Sequence, residues 1–149
     1  MTIRLIQVGM GGWGLIWGST VRRSQDAELV ACVDMDPAAR TRAHEKLELP
    51  LERCFSSLGD ALATVECDAV LITTFLPAHV LVAMEALAAG KHVLLEKPFA
   101  PTLADARRVV EAAAAHSKLL MISQNYRFYP AARAASSPIS CAFRLVRFS

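Results

Sequence analysis

Gly9, Gly11 and Gly14 of the stretch Val8-Gly9-Met10-Gly11-Gly12-Trp13-Gly14, together with Asp34, are the residues whose types and spacing can do chemistry. A Gly-x-Gly-x-x-Gly order suits a backbone that must reverse, meet a phosphate and pack a helix within one short stretch. Gly9 lets the chain turn tightly. Gly11, with no Cβ, lets a pyrophosphate reach the backbone, and Gly14 lets the next helix close on the strand. The helix start adds unpaired N–H groups and the positive end of the helix dipole. Asp34 stands 20 positions after Gly14, where a carboxylate can accept both hydroxyls of an adenosine ribose. Each feature alone is commonplace, as a glycine-rich turn or a strand-end carboxylate. In register they read as a dinucleotide site.

The elements around these residues agree. Ile3, Leu5, Ile6 and Val8 form an apolar run of strand length ahead of the glycines, and Leu15, Ile16, Trp17 and Val21 recur at helical spacing behind them. Glu28–Val33 reads as a second strand ending at Asp34. Asp36 is an N-cap with Pro37 in the first helical position, opening a helix to about Leu47. Ser57-Leu58-Gly59-Asp60 and Thr102-Leu103-Ala104-Asp105 have capping-box spacing. The uniformly apolar Asp68–Thr74 fits a strand covered on both faces. A helix from about Ala78 to Ala89 ends at Gly90; further strands are expected at Lys91–Leu95 and Leu119–Ser123, and Ile139–Phe148 is strand-like. Strands and helices alternating in this way predict an α/β fold, a doubly wound parallel sheet with helices on both faces.

Ligands of such a sheet bind beyond the carboxyl ends of its strands. The residues there are Gly9–Gly14, Asp34, Thr73–Phe75, Glu96–Pro98 and Gln124–Arg127. Among them Lys97 is the charged group suited to chemistry beside a nicotinamide, since its ammonium can hold a substrate oxygen where charge develops. The alternative is a solvated loop lysine. His79 is read as a packing or capping residue at a helix start. Tyr126 and Arg127 are either pocket-lining or ordinary surface residues. Arg40 and Arg42 could reach a 2′-phosphate, but Asp34 would repel one; the arginines are read as a solvated helix face and NAD as the preferred cofactor, ahead of NADP. No zinc-ligand set, nucleophile elbow or paired acid dyad is present, so no metal is expected.

The 149 residues have the length of one domain. A net charge of +2 gives no footprint for nucleic acid or a membrane surface. Hydrophobic residues make up 54% of the chain, yet no apolar run approaches the ~20 residues of a bilayer span. The glycines interrupt the N-terminal apolar stretch, so it does not read as a signal peptide. Cys32, Cys54, Cys67 and Cys141 lack metal or redox spacing and are expected as reduced thiols in a cytoplasmic protein. So apolar a chain suggests a surface that another domain or subunit covers.

The stretch Ala88-Ala89-Gly90-Lys91-His92-Val93-Leu94-Leu95-Glu96-Lys97-Pro98-Phe99-Ala100 strongly resembles a signature of the glucose–fructose oxidoreductase / inositol dehydrogenase / MocA (Gfo/Idh/MocA) family. The glycine turn with Trp13, Thr73-Thr74 followed by His79, and Asn125-Tyr126-Arg127-Phe128 resemble it too, so the likeness covers nearly the whole chain. It implies NAD(P)-linked oxidation or reduction of a sugar, cyclitol or related polyol at a secondary alcohol. By the same resemblance Gly9, Gly11, Gly12, Trp13 and Gly14 meet the pyrophosphate and Asp34 the adenosine ribose. Thr73, Thr74, Phe75 and His79 lie along the cofactor, with Glu96 on the nicotinamide-ribose side. Lys97 is the active-site lysine, contacting cofactor and substrate oxygen, and Tyr126 and Arg127 border nicotinamide and substrate.

Three departures accompany the resemblance. Phe75-Leu76 stands where prolines are common in the family, and the segment between Pro130 and Ile139 looks short. The chain also stops where the family's second domain, which supplies an acid–histidine pair and often the subunit interface, should begin. The expected organisation is thus a nucleotide-binding domain over 1–130, with 131–149 as the connection and first strand of an absent or truncated substrate domain. A homo-oligomer is expected if that domain exists. The competing reading is a non-catalytic nucleotide-binding or partner-binding module derived from such an enzyme.

Overall fold

The computed structural model describes residues 2–131. Their order is β1 (Ile3–Val8), α1 (Gly12–Arg22), β2 (Ala27–Val33), α2 (Pro37–Leu47), β3 (Cys54–Phe55), α3 (Leu58–Thr64), β4 (Ala69–Ile72), α4 (Leu76–Ala88), β5 (His92–Glu96), α5 (Leu103–Ala115) and β6 (Leu120–Ser123). Short 3₁₀ turns lie at Leu51–Arg53 and Asn125–Phe128. The strands form one sheet in the order β3-β2-β1-β4-β5-β6, and every pairing is parallel. Chain order reverses between β1 and β4. Their carboxyl ends therefore diverge into the crevice where a doubly wound sheet takes its ligand.

The alternation of side chains along each strand divides the core in two. Ile6, Val8, Val33, Val70, Ile72, Val93 and Leu95 pack against Leu58 and Ala61 of α3, Ala83 and Leu87 of α4, and Val109 and Ala113 of α5. Leu5, Leu29, Cys32 and Leu71 pack on the other face against Val21 of α1 and Ala39, Ala43 and Leu47 of α2. This two-sided burial explains the uninterrupted apolar reading of β4, whose four residues are all buried.

The caps expected from sequence are made. Asp36 Oδ1 accepts from Ala38 N at 2.9 Å, Ser57 Oγ from Asp60 N at 3.2 Å, and Thr102 Oγ1 from Asp105 N at 3.1 Å. Gly90 takes the left-handed conformation that ends α4. Two boundaries move. The helix expected from Ala78 begins at Leu76, because Pro77 suits a first turn that needs no N–H partner. Cys54–Phe55, not expected as a strand, forms the sheet edge beside β2. Two residues carry no readable alternation, and the free edge of β2 is what makes them a strand.

Cys32 and Cys67 are buried, free thiols, and burial pushes both up from the ordinary thiol value. No helix among the described residues is long and apolar enough to cross a membrane. The strand-like segment Ile139–Phe148, Cys141 and nearly all of the expected connection at 131–149 lie outside the described residues.

Candidate functional site

The site is built from the glycine turn upward. Gly9 sits at φ +95°, and a Cβ there would lie 2.7 Å from Thr74 N. Only glycine fits a turn so placed against the end of β4. At Gly14 a Cβ would fall 2.0 Å from Gly9 O, so the first turn of α1 touches the turn that precedes it. Gly11 and Gly12 are different: nothing lies within 4 Å of where their Cβ atoms would be. Their backbone is open to an approaching group. Met10, just before them in sequence, turns inward and is fully buried in the core beneath α1 and α2.

Three sets of contacts that the sequence reading did not foresee hold this turn and Asp34 in place. Gln7 is fully buried in mid-β1, and its Nε2 donates to Gly14 O at 2.7 Å and to Thr73 Oγ1 at 3.1 Å. A buried glutamine inside an apolar strand is the signal that could have found it, since burial drives an amide to seek partners; its Nε2 has them, while its Oε1 has none among the described residues. The backbone of Phe55 in β3 accepts from Asp34 N at 3.1 Å, so the unexpected edge strand fixes the acid's position. Arg40, expected on a solvated face, is half-buried. Its Nη1 donates to the carbonyls of Asp34 at 2.7 Å and Met35 at 3.1 Å. Helix capping placed its Cα, but the carbonyls at the end of β2 drew its guanidinium inward. Arg42 remains half-exposed beside Asp36 at 3.6 Å.

Asp34 Oδ2 accepts from Met10 N at 2.7 Å and Oδ1 from Asp36 N at 2.9 Å. A carboxylate has about four acceptor positions, so two donors leave room for hydroxyls. Asp34 lines a cleft of about 530 Å³ together with Gly9, Gly11, Thr73, Thr74 and Phe75. Ser57 and Leu58 at the start of α3 line it as well. Thr73 contributes backbone here, because its hydroxyl donates to Gly9 O at 2.6 Å. Thr74 Oγ1 is buried and has no partner among the described residues. Phe75 is largely exposed at the rim.

The remaining expected residues lie outside this cleft. Trp13 is half-exposed on α1. Glu96 is buried at the end of β5; its Oε1 accepts from Trp17 Nε1 at 3.0 Å and its Oε2 from Lys97 N at 3.1 Å. Lys97 is exposed, and its ammonium has no hydrogen-bond partner among the described residues. The Lys97–Pro98 peptide is cis. His79 is buried, with Nδ1 at 2.9 Å from Pro98 O and Nε2 at 3.0 Å from Thr74 O. Its ring thereby ties the end of β4 to the loop after β5, and it faces structure on both edges. Tyr126 is exposed in the turn after β6, its ring 5.3 Å from that of Tyr129; Arg127 follows in the same turn.

The residues present fit a dinucleotide. Helices α2, α3 and α5 each begin with a side-chain cap, whereas α1, at Gly11, and α4, at Phe75, have neither a side-chain cap nor an acid in the first turn, and of these two only α1 starts on glycines with open space above them. The N–H groups of α1 are therefore left for an outside anion. Gly11 with its open space, Thr74 with its unpartnered hydroxyl and Asp34 with its spare acceptors line the same crevice.

An open parallel sheet with this turn at its switch point defines a Rossmann dinucleotide-binding domain. The chain belongs to the Gfo/Idh/MocA family, described as an oxidoreductase family with an NAD-binding Rossmann fold, whose pattern matches residues 3–124. Inositol 2-dehydrogenase of Burkholderia cenocepacia is 35% identical over 120 residues, covering 78% of this chain and 35% of that protein. The WlbA dehydrogenase of Bordetella pertussis, solved with NADH and UDP-GlcNAcA, superposes with a TM-score of 0.86 at 29% identity, covering 95% of this chain and 43% of that one. Scyllo-inositol dehydrogenase of Lactobacillus casei, solved with NAD(H) and scyllo-inositol, gives 0.84 at 27% identity, covering 95% and 42%. The chain thus spans about a third of the length of the curated relatives it matches.

Proposed function

We propose that this chain is the nucleotide-binding part of an NAD-dependent oxidoreductase that acts on a secondary alcohol of a sugar, cyclitol or related polyol. The observation that carries the proposal is the uncapped start of α1 over open glycines, with Asp34 beside it at the end of β2. NAD, when bound, supplies a nicotinamide ring that accepts or returns a hydride.

Gly9, Gly11, Gly12, Trp13 and Gly14 receive the pyrophosphate, through N–H groups and the dipole of α1. Asp34 accepts from the adenosine ribose, and its charge disfavours a 2′-phosphate. Thr73, Thr74 and Phe75 border the cofactor across the end of β4, and Thr74 Oγ1 finds its missing partner there. His79 serves the same site indirectly, its ring lodged between the carbonyls of Thr74 and Pro98 and donating its N–H to one of them. Glu96 takes the nicotinamide-ribose side. Lys97, free of partners among the described residues, holds the substrate oxygen as negative charge develops on it. Tyr126 and Arg127 border the substrate.

In this reading residues 1–130 are the nucleotide-binding unit and 131–149 lead into a second, substrate-binding unit that also mediates self-association, in a cytoplasmic enzyme. The test is a titration with NADH and, separately, NADPH, following emission of Trp13 and Trp17. Saturable binding with NADH preferred is expected. Binding of neither nucleotide would overturn the proposal.

A further inference from the structure

We propose that Trp17 is a positioning residue for the nicotinamide half of the cofactor, acting through Glu96; this rests on the dinucleotide reading above. Helical spacing explains Trp17 as an apolar residue of α1, and part of its ring does pack on the core beneath that helix. Packing does not explain its polar end. Trp17 Nε1 lies 3.0 Å from Glu96 Oε1, joining residues 79 positions apart. An indole N–H can only donate and a carboxylate oxygen stands ready to accept, so the direction of this bond is unambiguous.

Glu96 is 5% exposed. A carboxylate so buried is costly unless donors meet it. Among the described residues it has two, the Trp17 indole on Oε1 and the backbone N–H of Lys97 on Oε2. The second comes from the next residue and leaves the side chain free to swing. The indole comes from another element and selects one orientation. Each oxygen retains acceptor capacity for a further hydroxyl.

The topology says which hydroxyl. Asp34 lies at the end of β2, on one side of the glycine turn, so an adenosine held there directs the other nucleotide half across β4 towards β5. Glu96 closes β5, and Lys97 follows it. Trp17 stands one turn into the helix whose start faces the pyrophosphate. The Trp17–Glu96 bond therefore fixes the distance between the phosphate-binding helix and the strand end that meets the second ribose.

The test compares NADH with ADP, which lacks the second ribose and the nicotinamide. In Trp17→Phe, which keeps an aromatic ring and loses the donor, NADH affinity is expected to fall about 10-fold, the effect of a lost charge-assisted hydrogen bond. ADP affinity is expected to stay within about twofold, and in a Glu96→Ala background the same change should have no further effect on NADH. Unchanged NADH affinity in Trp17→Phe would overturn the proposal, as would equal losses of NADH and ADP or a full loss on top of Glu96→Ala. A readout that leaves Trp17 intact is the indole N–H resonance, which Glu96→Ala should shift for Trp17 and not for Trp13; an unmoved Trp17 signal overturns it too. Failure of the unaltered chain to bind NADH would instead remove the dinucleotide reading beneath it.

Discussion

Replacing Gly14 and Gly11 separately by alanine should divide folding from cofactor binding. An alanine Cβ at position 14 would lie 2.0 Å from Gly9 O and 2.9 Å from Gly9 C. Real Cβ atoms stay beyond 3.0 Å, so α1 must retreat from β1 by about 1 Å. That retreat stretches the 2.7 Å bond from Gln7 Nε2 to Gly14 O past hydrogen-bonding reach. Overpacking costs about 1–3 kcal/mol. A fully buried amide that loses a partner costs roughly 1–3 kcal/mol more. The sum, roughly 2–6 kcal/mol, is a large share of the ~5–15 kcal/mol that holds a domain together. With a urea dependence of about 2 kcal/mol per molar, the unfolding midpoint should fall by roughly 1–3 M. Gly11→Ala meets nothing within 4 Å, and its φ of −63° is open to any residue. It should cost at most about 1 kcal/mol, the difference between glycine and alanine at an N-cap. NADH binding should nonetheless be lost, because the new methyl occupies the approach to the helix start. Equal midpoints for Gly14→Ala and the unaltered protein would refute the packing argument. A Gly11→Ala protein that binds NADH normally would refute the phosphate site.

Asp34→Ala should weaken NADH binding and narrow its advantage over NADPH, as the ribose acceptor and the repulsive charge go together; an unchanged affinity ratio removes Asp34 from the ribose. Lys97→Ala should leave the unfolding midpoint and NADH affinity within error while abolishing turnover in the active form, since its ammonium bonds to nothing among the described residues; turnover at a similar rate would make Lys97 a surface residue. Asp68 accepts from Arg4 at its backbone N and its guanidinium, at 2.8–3.2 Å, and this hydrogen bonding with Arg4 holds its carboxyl down from 3.8 to about 2. A depressed carboxyl contributes stability that is fully present above its unfolded pKa. The gap in thermal midpoint between the unaltered protein and Asp68→Asn should therefore persist above pH 3.8 and close as pH falls through about 2. A gap independent of pH would show that the charge is not what stabilises this end of β1.

Much of the fold was legible because its signals are local. Strands buried on both faces read as apolar runs at β1, β4 and β5, and Asp36, Ser57 and Thr102 announce the helices that they cap. The glycine turn was legible for the same reason: its demands on φ and on Cβ exclude other residues at Gly9 and Gly14. The spacing to Asp34 follows from the length of one helix and one strand. What the sequence could not convey is which side chains meet across the sheet. β3 is two residues long and exists through the edge of β2. Gln7 reads as an odd polar residue until Gly14 and Thr73 close over it, and Arg40 as a solvated charge until the carbonyls ending β2 face it. His79 reads as a lone histidine, yet it ties Thr74 to Pro98. Trp17 reads as one more apolar position of α1, yet its indole reaches Glu96. Local sequence thus determined β1, β2, β4, β5 and β6, the helices and the glycine turn, because backbone conformation and burial period are set by near neighbours. The partners of Gln7, Trp17, Arg40 and His79 were decided only when strands distant in the chain came side by side, since a buried polar group takes its partner from whatever the tertiary packing brings within 3 Å.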